Sequence, residues 1–153
     1  MTIRPTIWLN DFIVRGNLNP LLPLSDPQIV ALTNGNFLVS WTDRTNLADT
    51  APGSDILGQL YDPLGVAIGG PIRLNTNNAD NESQADIAAL PNGGFVIVYL
   101  DPNGTSADSI RWNIRSASGA LVSNGTVFTE GGILDIQGDP EVIVAPSGSF
   151  AVA

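Results

Sequence analysis

Three stretches of this chain repeat one another, and that recurrence limits the fold more than any other feature. Asp26 to Trp41, Gln84 to Tyr99 and Asp139 to Ala153 share one order of residues. A short apolar run meets Asn-Gly or Ser-Gly, a Phe follows two positions after the first glycine, and a second apolar run begins. The pairs Gly35/Phe37, Gly93/Phe95 and Gly148/Phe150 are spaced 58 and 55 residues apart. Each stretch predicts a tight antiparallel hairpin, with glycine supplying the positive φ of the turn. The second runs, Phe37 to Trp41 and Phe95 to Tyr99, are almost wholly apolar, as in a strand covered on both faces.

A second hairpin follows in each full unit. Asp55 to Tyr61 turns at Asp62-Pro63-Leu64-Gly65 and returns from Val66 to Asn75. Ser109 to Arg115 turns at Ser116 to Gly119 and returns from Ala120 to Thr129. Four short antiparallel strands in about 55 residues, with no window of helical periodicity and 16 Gly plus 11 Pro as punctuation, give an all-β class. Units of that size and content predict β-propeller-like blades. A sandwich of independent hairpins is the competing arrangement.

The units place blade 1 at 26–76, blade 2 at 84–130 and half of a third blade at 139–153, all in one repeat domain. Residues 1–19 hold Phe12-Ile13-Val14-Arg15, which stands before blade 1 as a last strand stands before the next blade. The expectation is a lone outer strand and linker, with blades incomplete at both ends. Open strand edges seek partners, so head-to-tail self-association through edge strands is expected.

Composition excludes several kinds of chemistry. The 153 residues carry 15 acidic and 6 basic side chains, all Arg, for a net charge of −9. A nucleic-acid surface needs a clustered basic footprint and is not expected. With no His and no Cys there is no Ser-His-Asp or Cys-His nucleophile and no ordinary zinc site. No apolar run approaches the roughly 18 residues of a membrane span, so no membrane insertion is expected. Asn10 and Asp11 interrupt the N-terminal stretch before it can form the core of a signal peptide.

The run Ala31-Leu32-Thr33-Asn34-Gly35-Asn36-Phe37, the later Gly58-Gln59-Leu60-Tyr61-Asp62, and Gly69-Gly70-Pro71-Ile72-Arg73-Leu74-Asn75-Thr76 together resemble a bacterial repeat. That repeat is found in large secreted, calcium-associated proteins of the repeat-in-toxin type. The resemblance covers 26–99 and, more weakly, 109–153. It implies an extracellular or cell-surface propeller-like array that leaves the cell without an N-terminal signal peptide. Arg111, Trp112 and Arg115 depart from the pattern, and the glycine-rich calcium nonapeptide is not repeated.

Candidate sites follow from residue types. In Asp101-Pro102-Asn103-Gly104-Thr105-Ser106-Ala107-Asp108, the oxygens of Asp101, Asn103 and Asp108 could wrap a calcium ion, and an Asx turn accounts for the same residues. Trp41, Tyr99 and Trp112 are candidate platforms for sugar rings, with Arg111 and Arg115 beside Trp112, and inter-blade packing accounts for Trp41 and Tyr99 equally well. On a strand, Arg111 and Arg115 lie on one face and Trp112 on the other. Asp26, Asp86, Asp139 and Glu141 stand near the starts of the first strands and could ring one end of a tunnel. Paired carboxylates are the general acid/base chemistry open to a His-free chain, with glycoside hydrolysis as the natural example. The main expectation is a non-catalytic structural or adhesive module binding a glycan or surface protein. The rivals are a lectin-like carbohydrate-binding propeller and, more remotely, a propeller glycosidase.

Overall fold

The computed structural model describes residues 24–44, 53–76, 81–102, 108–129 and 139–153. Their strands are β1 (Ser25–Ala31), β2 (Phe37–Asp43), β3 (Asp55–Tyr61), β4 (Ala67–Arg73), β5 (Ser83–Ala89), β6 (Phe95–Asp101), β7 (Ser109–Arg115), β8 (Leu121–Thr129), β9 (Val142–Val144) and β10 (Phe150–Val152). β1 to β4 form one four-stranded antiparallel sheet in sequence order, β5 to β8 form a second, and β9 with β10 form a hairpin. The all-β class and the four-stranded units therefore stand. The expected strand at Phe12–Arg15 lies outside the described residues, as does its pairing.

Each first hairpin closes through the same three-residue loop. Gly35 N donates to Leu32 O at 3.0 Å and Leu32 N to Asn36 O at 2.8 Å, with the same pattern at Leu90–Gly94 and Ala145–Ser149. Gly35, Gly93 and Gly148 sit at φ of 90°, 90° and 88°, where a Cβ would be strained.

The sheets stack face to face with their first strands adjacent, β1 beside β5 and β5 beside β9. β6 shows why its sequence is continuously apolar. Phe95, Ile97 and Tyr99 point back to the first sheet and join Leu38, Ile56, Leu60 and Leu74 in one core. Val96 and Val98 point forward and meet Val142, with Val144, Phe150 and Val152 of the last hairpin, in a second core. Period-2 alternation thus feeds two cores from one strand, because a sheet lies on each side. Burial of this kind stabilises by about 25 cal/mol per Å² of apolar surface.

One position shows how the two full sheets fill the same space differently. On β3, Gly58 lies under Leu74, and a Cβ there would come within 2.8 Å of Leu74 Cδ1 and 3.0 Å of Leu38 Cδ1. At the equivalent place on β7 stands Trp112, whose ring covers Gly125 of β8 and meets Phe150 edge-on at 5.6 Å. In the first sheet the gap is filled by a residue that follows β4, and in the second by the strand's own indole. A four-stranded sheet is held to its neighbour in both cases.

Candidate functional site

The two ends of the sheets differ. The tight hairpin turns lie at one end. At the other end β1, β3, β5 and β7 begin, β2, β4, β6 and β8 finish, and the longer connections leave. Acidic side chains collect there: Asp26, Asp43, Asp55, Glu82, Asp86, Asp101, Asp139 and Glu141. Asp43, Asp55, Glu82 and Asp101 are buried. Asp43 faces Asp55 across β2 and β3, and Asp55 Oδ1 accepts Asn75 Nδ2 at 2.8 Å with Arg73 at 3.9 Å. These buried acids belong to the seams between strands, whereas Asp26, Asp86, Asp139 and Glu141 line a cavity of about 360 Å³.

A β-bulge builds that cavity. Ser25 pairs with Thr42 and Gln28 with Ser40, so β1 carries one residue more than β2 across this interval. The same shift recurs between Ser83 and Asp86 on β5. Asp26 and Gln84, equivalent in the repeat, both adopt φ of 53°. For residues other than glycine this left-handed conformation costs on the order of 1 kcal/mol, and bulges commonly re-aim side chains beside functional sites. The lining is the same tripeptide taken from three sheets: Asp26 with Gln28, Gln84 with Ala85 and Asp86, and Asp139 with Pro140 and Glu141. Each sheet supplies a carboxylate.

The carboxylates are held differently. Asp86 Oδ2 accepts Val142 N at 2.8 Å, which ties the second sheet to the last hairpin and fixes the carboxylate. Asp26 Oδ2 accepts Thr42 Oγ1 at 3.1 Å and Ser25 Oγ at 3.0 Å. In both residues Oδ1 has no partner among the described residues. Asp139 and Glu141 are exposed, and their carboxylates have no such anchors among the described residues. Fixed carboxylates beside free ones are a usable arrangement for general acid/base chemistry.

The other candidates are scattered. Tyr99 is fully buried in the first core, and its hydroxyl accepts Thr76 N at 3.2 Å with Thr76 Oγ1 at the same distance. Trp41 is buried on the face of β2 opposite Leu38. Neither ring is open to a sugar, and packing in the first core accounts for Tyr99. Trp112 faces the last hairpin, while Arg115 faces the first sheet, where its guanidinium donates to Leu74 O at 2.9 Å and Gly119 O at 2.8 Å. Burial lowers the Arg115 pKa from its ordinary value, the charge interaction with Tyr99 opposes the fall, and that with Arg73 adds to it. Arg111 donates to Asp101, forming an ion pair at the end of β6 and β7. The structure therefore does not gather Trp112, Arg111 and Arg115 into one pocket: alternation along β7 sends them to opposite faces.

Of the calcium candidates, Asp101 is engaged by Arg111, Asp108 stands at the far side of the loop, and Asn103 lies outside the described residues. Among the described residues no group of three or more acidic side chains is arranged to hold a metal ion. None of the described residues forms a helix long and apolar enough to cross a membrane. Gln28 and Gln84 were not anticipated from sequence as cavity residues. The signal that finds them is repeat alignment, since Gln28 shares the repeat position of Asp86 and Glu141, and Gln84 that of Asp26 and Asp139.

No protein-family model matches this chain, and no curated protein matches it. Two solved structures share its fold. The endo-arabinase of Bacteroides thetaiotaomicron superposes with a TM-score of 0.53 at 14% identity, covering 94% of this chain and 55% of its own. The Penicillium chrysogenum alpha-L-arabinanase complexed with arabinobiose gives 0.54 at 17% identity, covering 88% of this chain and 40% of its own. Both are five-bladed propellers, so the chain has a β-propeller-like fold and spans about half the length of these enzymes. At such identities the likeness is one of fold.

The comparison corrects the main functional expectation. A non-catalytic structural or adhesive module is overturned as the leading reading, and so is the statement that the chain is not an enzyme. The solved structures sharing this architecture are arabinan-acting enzymes, not adhesins or repeat-in-toxin proteins. That expectation came from a chain without His or Cys, which lacks the familiar catalytic motifs.

Proposed function

We propose that the chain forms part of a propeller glycosidase and that the carboxylate-lined cavity is its site. The observation that carries this reading is the contribution of equivalent tripeptides from three neighbouring sheets, two of them bulged, to one cavity of about 360 Å³. The arabinan-acting enzymes that share the fold make a glycan the natural substrate class, here a linear arabinan or a similar pentose polymer. Such a polymer is met outside the cell, in keeping with the extracellular location that the repeat resemblance implies.

The roles follow from how the acids are held. Glycoside hydrolysis needs one carboxyl group to protonate the leaving oxygen and a second, ionised one to activate water or attack the sugar carbon. Asp86, fixed by Val142 N, is suited to act as the base or nucleophile, because a carboxylate held at one oxygen presents the other in a set direction. Glu141, unanchored and with the longest acidic side chain of the set, is suited to deliver the proton. Asp26 and Asp139 hold negative charge beside the positive charge that develops on the sugar ring.

The test is release of reducing ends from linear arabinan by the purified chain. Asp86→Asn keeps an oxygen for Val142 N and so preserves the tie between sheets. Asp86→Asn and Glu141→Gln are each expected to lower the rate by about 100-fold or more with an unchanged melting temperature. Absence of hydrolysis by the wild-type chain, or full activity in both variants, overturns the assignment.

A further inference from the structure

The cavity is not lined by acids alone, and its neutral members carry specific information. Gln28 and Gln84 stand in it beside Asp26 and Asp86, and the two sheets exchange the places of acid and amide. In the first sheet the acid comes first and the amide third; in the second the order is reversed. Asp86 uses its position to accept Val142 N, yet Gln28 at the equivalent position forms no such bond to the next sheet. Neither amide makes a hydrogen bond within the described part of the chain. Gln84 is also held in the left-handed conformation at the bulge. Among the described residues no Arg lines the cavity, and the chain has no Lys at all.

We propose that Gln28 and Gln84 are the specificity-determining pair of this cavity, selecting an uncharged, hydroxyl-rich sugar unit and rejecting uronic acids. Each amide offers a donor and an acceptor, the pattern that pairs with a sugar hydroxyl acting as acceptor and donor together. Four carboxylates with no cation among the described lining residues repel an anionic sugar, and an unpaired charge opposite the site is an effective means of rejection. The proposal rests on the glycan-cleaving reading of the cavity, and its test separates binding from turnover.

Calorimetric titration of the Glu141→Gln chain compares linear arabino-oligosaccharides with oligogalacturonides of equal length, at low salt and at about 0.5 M salt. The neutral sugars are expected to bind with little dependence on salt, and the galacturonides not to bind at low salt. Gln28→Ala is expected to weaken neutral-sugar binding about fivefold. Gln84→Asn, which tolerates the left-handed backbone, shortens the reach of the second amide and is expected to do the same. Gln28→Arg is expected to give measurable galacturonide binding. Galacturonide affinity equal to that for the neutral sugar, unchanged neutral binding in both glutamine variants, or no binding of either sugar overturns the proposal. Selective neutral binding by a chain that hydrolyses nothing overturns the catalytic roles and leaves this inference standing.

Discussion

Replacing Gly58 by Ala should change the sign of its effect when Leu74 is also shortened. An added Cβ at 58 would lie 2.8 Å from Leu74 Cδ1 and 3.0 Å from Leu38 Cδ1, closer than such contacts allow. Overpacking of this kind costs about 1–3 kcal/mol. Gly58 has no positive φ, so alanine restricts the unfolded chain at no conformational cost in the strand and offsets about 0.4–1 kcal/mol of that. Gly58→Ala alone should therefore destabilise by about 1 kcal/mol. Leu74→Ala, at a fully buried side chain, should cost about 3 kcal/mol through lost burial and the cavity left behind. With Leu74 shortened the Cβ at 58 enters vacated space, so Gly58→Ala should become neutral or stabilising in that background. A double-mutant cycle by equilibrium urea unfolding reads this as a coupling of about 1–2 kcal/mol. Equal effects of Gly58→Ala in both backgrounds would refute the claim that Leu74 occupies the space of the missing side chain.

Two further perturbations probe other seams. Trp112→Ala removes the edge contact with Phe150 and the cover over Gly125, and should cost about 3 kcal/mol. Its amide exchange should rise in Val142–Val152 and stay unchanged in β2, and uniform loss of protection would contradict the local role. Burial raises the Tyr61 pKa above its ordinary 10.0. Below that value both states keep the phenol protonated and stability is unaffected. As pH rises past it, the unfolded chain ionises more readily than the folded one, and stability falls. With no Lys to titrate in the same range, urea unfolding at about pH 8 and pH 11 should show this fall shrinking in Tyr61→Phe. An identical fall in the variant would assign it to another group.

Much of the fold could be read because its signals are local. The Asn-Gly and Ser-Gly turns, the apolar runs and the 55-to-58-residue spacing place hairpins without reference to anything distant. The four carboxylates at the first-strand starts could also be located, since strand beginnings follow from turn positions. Their cooperation could not, because it depends on the sheets standing side by side. The same limit applies to the motif Gly58-Gln59-Leu60-Tyr61. Gln59 Nε2 donates to Leu60 O at 2.9 Å and Ile68 O at 3.2 Å inside the bulge of β4, and Tyr61 stacks on Phe37 at 5.2 Å. Those are packing roles, invisible as chemistry in the string.

Sequence alone determined that this chain alternates short strands and tight turns, since alternation and glycine conformation act over a few residues. Tertiary structure alone decided what each strand face packs against. Tyr99 entered a core because the first sheet covers its face, and Arg115 and Trp112, on opposite faces by alternation, met different partners because β7 has a different neighbour on each side. The extra residue at each bulge is unmarked by composition, yet it sets Asp26, Gln28, Gln84 and Asp86 around one cavity. A site assembled from three sheets exists only once their first strands lie together.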